Sequence, residues 1–159
     1  MHHPDISAIH RAVMRRSVLE VIDAMFAGDD VDSLDREGRT PLFYAVRDGK
    51  CDIVEELIRH RADVNVQDKR LKSSLHFAAA EYQIEASELL LQNGAAVNAQ
   101  DAHGNSPLFD AVFNSNGRGE MIELLLAWKA DRSLKNRHGV SPESLANTIA
   151  NYDVKQFFA

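Results

Sequence analysis

The sequence predicts an all-α solenoid of about five helix–turn–helix repeats joined by β-turn loops. Three observations predict it. Asp35, Asp68 and Asp101 open segments that stand 33 residues apart, and a fixed period of this size marks a stacked-repeat protein. A turn signal followed by a helix-start signal stands at the openings. Behind it, apolar residues return at helical spacing. One such unit cannot bury its apolar faces alone, so the units must stack, and the stack takes residues 1–159 as a single domain.

Residues 35–67 show the physical logic most clearly. Asp35-Arg36-Glu37-Gly38 is a tight turn, with Asp at its start and Gly where a positive φ is tolerated. Thr40-Pro41 opens a helix: Thr is a favoured N-cap, and Pro fits the first helical position, where no N–H is needed. Leu42, Ala45 and Val46 make a narrow apolar stripe, and Gly49 ends that helix. Ile53, Val54, Leu57 and Ile58 recur at i, i+1, i+4 and i+5, the inward face of a second helix. Ala62-Asp63-Val64-Asn65 leads back to the next turn.

These residues resemble the ankyrin repeat. Its hallmark is Asp-x-x-Gly-x-Thr-Pro-Leu-His-x-Ala at the front and Leu-Leu-x-x-Gly-Ala-Asp-Val-Asn at the back. Asp35, Gly38, Thr40, Pro41, Leu42, Ala45 and Ala62 to Asn65 match it. The next copy matches through Asp68, Leu75, His76, Ala78, Leu90, Leu91, Gly94, Val97 and Asn98. The third matches through Asp101, Gly104, Ser106, Pro107, Leu108, Ala111, Leu125, Leu126, Ala130 and Asp131. The resemblance implies a non-catalytic module that binds proteins through turn tips and the first helix of each pair, which together form a concave groove.

The remaining units follow in phase. Residues 1–34 form an N-terminal cap, with Ile9, Ala12 and Val21 one period before Leu42, Ala45 and Val54, and helices near 6–15 and 18–26. Its turn and Thr-Pro signals are missing, as suits a terminal unit. His2, His3 and His10 lack a carboxylate or cysteine in register, so no metal site is read there. The acidic run 29–35 fails the spacing of a calcium loop. Arg61 stands where the family has Gly and takes a left-handed conformation. In 68–100, Leu71 replaces the turn Gly, Ser73-Ser74 replaces Thr-Pro and Tyr82 replaces the Gly between the helices. Leu71 either folds inward or is exposed for a partner. The resemblance implies that His76 hydrogen-bonds across neighbouring turns. Residues 101–135 carry a two-residue insertion within Asn114-Ser115-Asn116-Gly117-Arg118-Gly119, read as a longer, mobile connection. Trp128, near the end of the second helix, is read as half-exposed packing. Residues 136–159 form a C-terminal cap in which Glu143 replaces the usual Leu and Val154, Phe157 and Phe158 close the core.

Composition narrows the function. Of 159 residues, 45% are hydrophobic and 26% charged, a soluble globular balance. A net charge of −6 argues against a nucleic-acid partner. It fits a basic protein. The single cysteine, Cys51, excludes an intramolecular disulfide and suits a reduced, cytoplasmic setting. No apolar run approaches a membrane span, and no signal peptide is read at the N-terminus. Zinc-protease, nucleophile-elbow, Walker and paired-cysteine motifs are all missing, so no enzyme activity, cofactor or metal is expected.

Carried over by position, the family's binding surface falls on Arg36, Glu37 and Arg39, on Lys69, Arg70, Leu71 and Lys72, on His103 and Asn105, and on Arg137 and His138. First-helix ends add Arg47, Asp48, Glu81, Tyr82, Phe113 and Asn114. Residues 114–120 and 139–154 resemble small bacterial ankyrin proteins that are often paired with secreted toxins as immunity proteins. That resemblance implies a free monomer that binds and neutralises a toxin, a basic one in view of the acidic charge. An adaptor of an endogenous intracellular protein is the alternative.

Overall fold

A computed structural model of the protein describes residues 6–159. Four helix pairs succeed one another: α1 (Ala8–Met14) with α2 (Val18–Phe26), α3 (Pro41–Arg47) with α4 (Cys51–Arg59), α5 (Ser74–Ala80) with α6 (Ile84–Gln92), and α7 (Pro107–Phe113) with α8 (Glu120–Ala127). A fifth unit has α9 (Pro142–Ala146) and then only a 3₁₀ turn, Val154–Phe158, in place of a second helix. The odd-numbered helices pack in an inner row, and α2, α4, α6 and α8 in an outer row behind them.

Each inner helix starts on a hydroxyl residue: Ser7, Thr40, Ser73, Ser106 and Ser141. The hydroxyls of Thr40, Ser106 and Ser141 accept the N–H three residues on. Such a cap satisfies one of the donors a helix N-terminus leaves open. Ser7 stands at the same position in the first unit, but its hydroxyl caps no N–H and instead meets His10 Nδ1 and Ser33 Oγ.

The core is one continuous column. Leu42, Leu57, Leu75, Leu90, Leu108 and Leu125 are fully buried, and Ile9 extends the column into the first unit. Phe43 and Tyr44 are buried too, so α3 presents a wider apolar face than its stripe predicts. Val154 and Phe158 are buried at the far end, as expected of a cap. Arg61 has a positive φ of 66°, as read from the sequence.

The expected mobile connection in the fourth unit is instead packed. Ser115 and Gly119 are buried. A Cβ at Gly119 would lie 2.1 Å from the Phe157 ring, and one at Gly117 would lie 2.8 Å from Tyr152. Glycine is needed at both places so that the C-terminal aromatics can close on the inserted loop. Arg118 stacks 3.9 Å from the Tyr82 ring centroid, and the Tyr82 hydroxyl donates to the Arg118 carbonyl at 3.0 Å. The inserted residues extend the loop into contact with these groups.

Candidate protein-binding surface

The turn tips form a ladder. Lys69 N–H donates to the Glu37 carbonyl, Ala102 to Arg70 and Arg137 to His103, each at 2.9 Å. Within each turn an inward carboxamide or carboxylate holds the loop: Asp68 accepts from Arg70 and Lys72, Asp101 from His103 and Asn105, and Asn136 from His138 and Val140. With the backbone pinned, the side chains of Arg36, Glu37, Lys69, Arg70, His103, Arg137 and His138 point to solvent. Leu71 resolves to the exposed alternative. It is 44% accessible and sits at φ 59°, a conformation that costs a leucine about 1 kcal/mol.

Other residues of the sequence-derived patch are engaged inside the stack. Arg39 lies 4.9 Å over Phe43 and 5.9 Å from Phe77, with Nε 3.6 Å from the buried Asp68 carboxylate. Lys72 donates to Asp110 at 2.8 Å and lies 3.7 Å from Asp101. Burial pushes the Asp110 carboxyl above the usual carboxylate range, and Lys72 draws it back. Arg47 pairs with Asp48 at 2.7 Å and covers the Tyr44 ring. Asn105 accepts from His76 at its carbonyl and from Asn136 at Oδ1. Asn114 donates to the Asp110 carbonyl. Tyr82 donates to the carbonyls of Ala111 and Arg118, and burial raises its phenol to about 12. These groups shape the groove and reach a partner only by leaving bonds already made.

Phe113 differs. It is 69% exposed at the end of α7, and beside it Tyr152, Ile149, Leu145 and Asn116 line a cavity of about 270 Å³. Tyr152 was not reached from the sequence, because residues past α9 have no counterpart in the preceding units. Its only signal is an aromatic side chain in a polar stretch. Glu81 is exposed at the equivalent groove rim and makes no ion pair among the described residues.

Charge is sorted by face. Apart from the aspartates that open the first three and turn inward, the four turns, at 36–39, 69–72, 102–105 and 137–140, carry Glu37 as their single carboxylate against six Arg and Lys residues. The outer helices α4, α6 and α8 expose carboxylates.

Neither His76 nor Cys51 is poised for chemistry. His76 is fully buried and its pKa is lowered by burial. Ser73 N–H donates to its Nδ1 at 3.1 Å, so Nε2 carries the proton and donates to the Asn105 carbonyl at 3.0 Å. This is the cross-turn role expected of it. Burial pushes the Cys51 thiol up to about 11, where it carries almost no thiolate. Of the three histidines weighed for metal, His2 and His3 lie outside the described residues. His10 is buried, with Nδ1 at 2.7 Å from Ser7 Oγ and Nε2 at 3.0 Å from the Arg39 carbonyl.

A family model described as ankyrin repeats, in three copies, matches residues 2–68 and 61–136. The chain belongs to the ankyrin-repeat family. A search of curated proteins finds no match. Ankyrin-repeat chains are generally non-catalytic, and this one is accordingly a protein–protein interaction module. Among the described residues no helix is long and apolar enough to cross a membrane.

Proposed function

We propose that the turn edge and the adjoining groove seat one protein partner, and that this partner is a bacterial toxin which the ankyrin stack neutralises as an immunity protein. The observation that carries the binding surface is the pairing of free tip side chains (Lys69, Arg70, Leu71, His103, Arg137) with the exposed Phe113 ring at the groove's end. Aromatic and Arg side chains beside a cavity are typical interface anchors. Charge at the tips calls for carboxylates on the partner surface that meets them, whatever the toxin's overall charge. Support for the immunity role is the resemblance of 114–120 and 139–154. The two stretches touch: Tyr152 closes on Gly117, next to Phe113. The same surface also serves the alternative, an adaptor of a resident intracellular protein.

The test is affinity capture from lysate of the source organism with the intact protein and with Arg70→Ala/Leu71→Ala/Phe113→Ala, followed by mass spectrometry. A stoichiometric protein lost with the variant supports the surface. Co-expression then separates the readings: the captured protein stops growth alone and not alongside this chain if it is the toxin. A resident protein without toxicity transfers the function to the adaptor reading. Equal capture by the variant removes the surface.

A further inference from the structure

The outer helices carry a pattern that the groove does not use. Asp52, Glu85 and Glu120 occupy equivalent positions of α4, α6 and α8, and Glu55, Glu88 and Glu123 follow three residues on. All six are exposed, and none enters an ion pair among the described residues. Residues three apart on a helix are neighbours at about 5–6 Å between Cβ atoms, so each pair repels. Adjacent packed helices lie about 8–10 Å apart, so the two columns run across the stack as one negative band. The cation one turn further on this face, Arg59 of α4, pairs with Glu56 and leaves the two columns unneutralised.

In α2 the same two columns change character. The equivalent positions are Leu19 and Ile22, and Phe26 follows one turn later on the same face. Leu19 is 74% and Phe26 83% exposed. Since α2 packs directly against α4, the apolar patch is continuous with the acidic band. Exposed large apolar side chains grouped on one face mark an interaction site rather than a scatter.

We propose that this outer face docks a basic amphipathic segment of a partner protein. Its apolar residues sit on Leu19, Ile22 and Phe26, and its Lys and Arg residues lie along the carboxylate band. Four helices at about 8–10 Å spacing present a track on the order of 25–30 Å, the length of a helix of about 17–20 residues. Charge complementarity selects this occupant: the apolar end alone would accept any greasy surface, and the band rejects an acidic one. The opposite sign of the turn edge keeps the two faces from competing for one ligand.

A fluorescein-labelled 20-residue helical peptide tests it, with Leu and Phe at one end of a face and Lys along the rest. Anisotropy is read against a scrambled peptide of identical composition. Saturable binding is expected, tighter than the scramble and about tenfold weaker when salt rises from 50 to 200 mM. Glu55→Lys/Glu88→Lys/Glu123→Lys and, separately, Leu19→Ser/Phe26→Ser each reduce it about tenfold or more with unchanged circular dichroism. Equal binding of peptide and scramble, or by either variant, overturns the proposal. Self-association of the protein that disappears with Leu19→Ser/Phe26→Ser would also overturn it, because the occupant would then be a second copy. The Arg70/Leu71/Phe113 variant keeps peptide binding, so failure of the groove reading and of this one are separate results.

Discussion

Two kinds of junction hold the same stack. Between the first and second units, and again between the third and fourth, a buried histidine spans the gap: His10 to the Arg39 carbonyl and His76 to the Asn105 carbonyl. Between the second and third units the histidine position holds Phe43. Its ring meets Phe77 edge-on at 4.1 Å, with Arg39 over both rings and Lys72 at 5.7 Å from Phe77. One backbone geometry is thus closed by a hydrogen-bonded staple or by aromatic rings under cations. The staple depends on a neutral imidazole: Nδ1 of His76 accepts the Ser73 N–H while Nε2 donates across the gap. The comparison teaches that a repeat position tolerates different chemistry provided the gap is filled, even where Arg39 Nε at the aromatic junction is buried without a hydrogen-bond partner among the described residues.

The largest expected effect strikes both kinds of junction. Leu90 is fully buried in α6, and Leu90→Ala should lower stability by about 3 kcal/mol in urea denaturation. A change below about 1 kcal/mol would mean the outer row collapses into the hole. Lys72→Met touches both junctions: it removes the cation beside Phe77 and leaves the buried Asp110 carboxylate of the fourth unit without its counter-charge. A loss of about 2 kcal/mol is expected, partly recovered by adding Asp110→Asn. His76→Ala breaks one staple, leaving the Asn105 carbonyl short of a donor, at about 2 kcal/mol.

The pH dependence sharpens the contrast. Burial lowers the pKa of His10 and of His76 below the ordinary 6.5. The unfolded chain therefore takes up protons near pH 6.5 that the folded chain refuses. Stability from the staples is present above that pH and is lost as pH falls through it toward the lowered folded values. The urea midpoint should drop between pH 7.5 and 6, and His10→Phe/His76→Phe should flatten that slope. An unchanged slope would show that other groups govern it. The smallest effect is at a turn: Leu71→Gly should raise stability by about 0.5 kcal/mol, since Gly accepts φ 59° without strain but forfeits some packing and chain stiffness.

Most of the fold was legible in the sequence. The 33-residue phase located each helix pair, and Pro41, Pro107 and Pro142 stand at first helical positions in the structure. The incomplete fifth unit was less legible, because its apolar residues Val154, Phe157 and Phe158 cap the core equally well from a 3₁₀ turn. The candidate surface was legible only as a set of positions. Lys69 and Lys72 look alike in sequence, yet one points to solvent and the other is clamped. The glycine-rich insertion read as loose because its partners, Tyr152 and Phe157, lie far along the chain.

The sequence by itself determined the repeat period, where helices begin and which faces turn inward. Caps, turn residues and apolar spacing act over a few neighbouring residues, so their pattern is written locally. Only the tertiary structure decided which cations remain available to a partner and how charge divides between turn edge and outer helices. Those outcomes depend on groups brought together by stacking. The carboxylate that holds Lys72 is 38 residues away in sequence and 2.8 Å away in space.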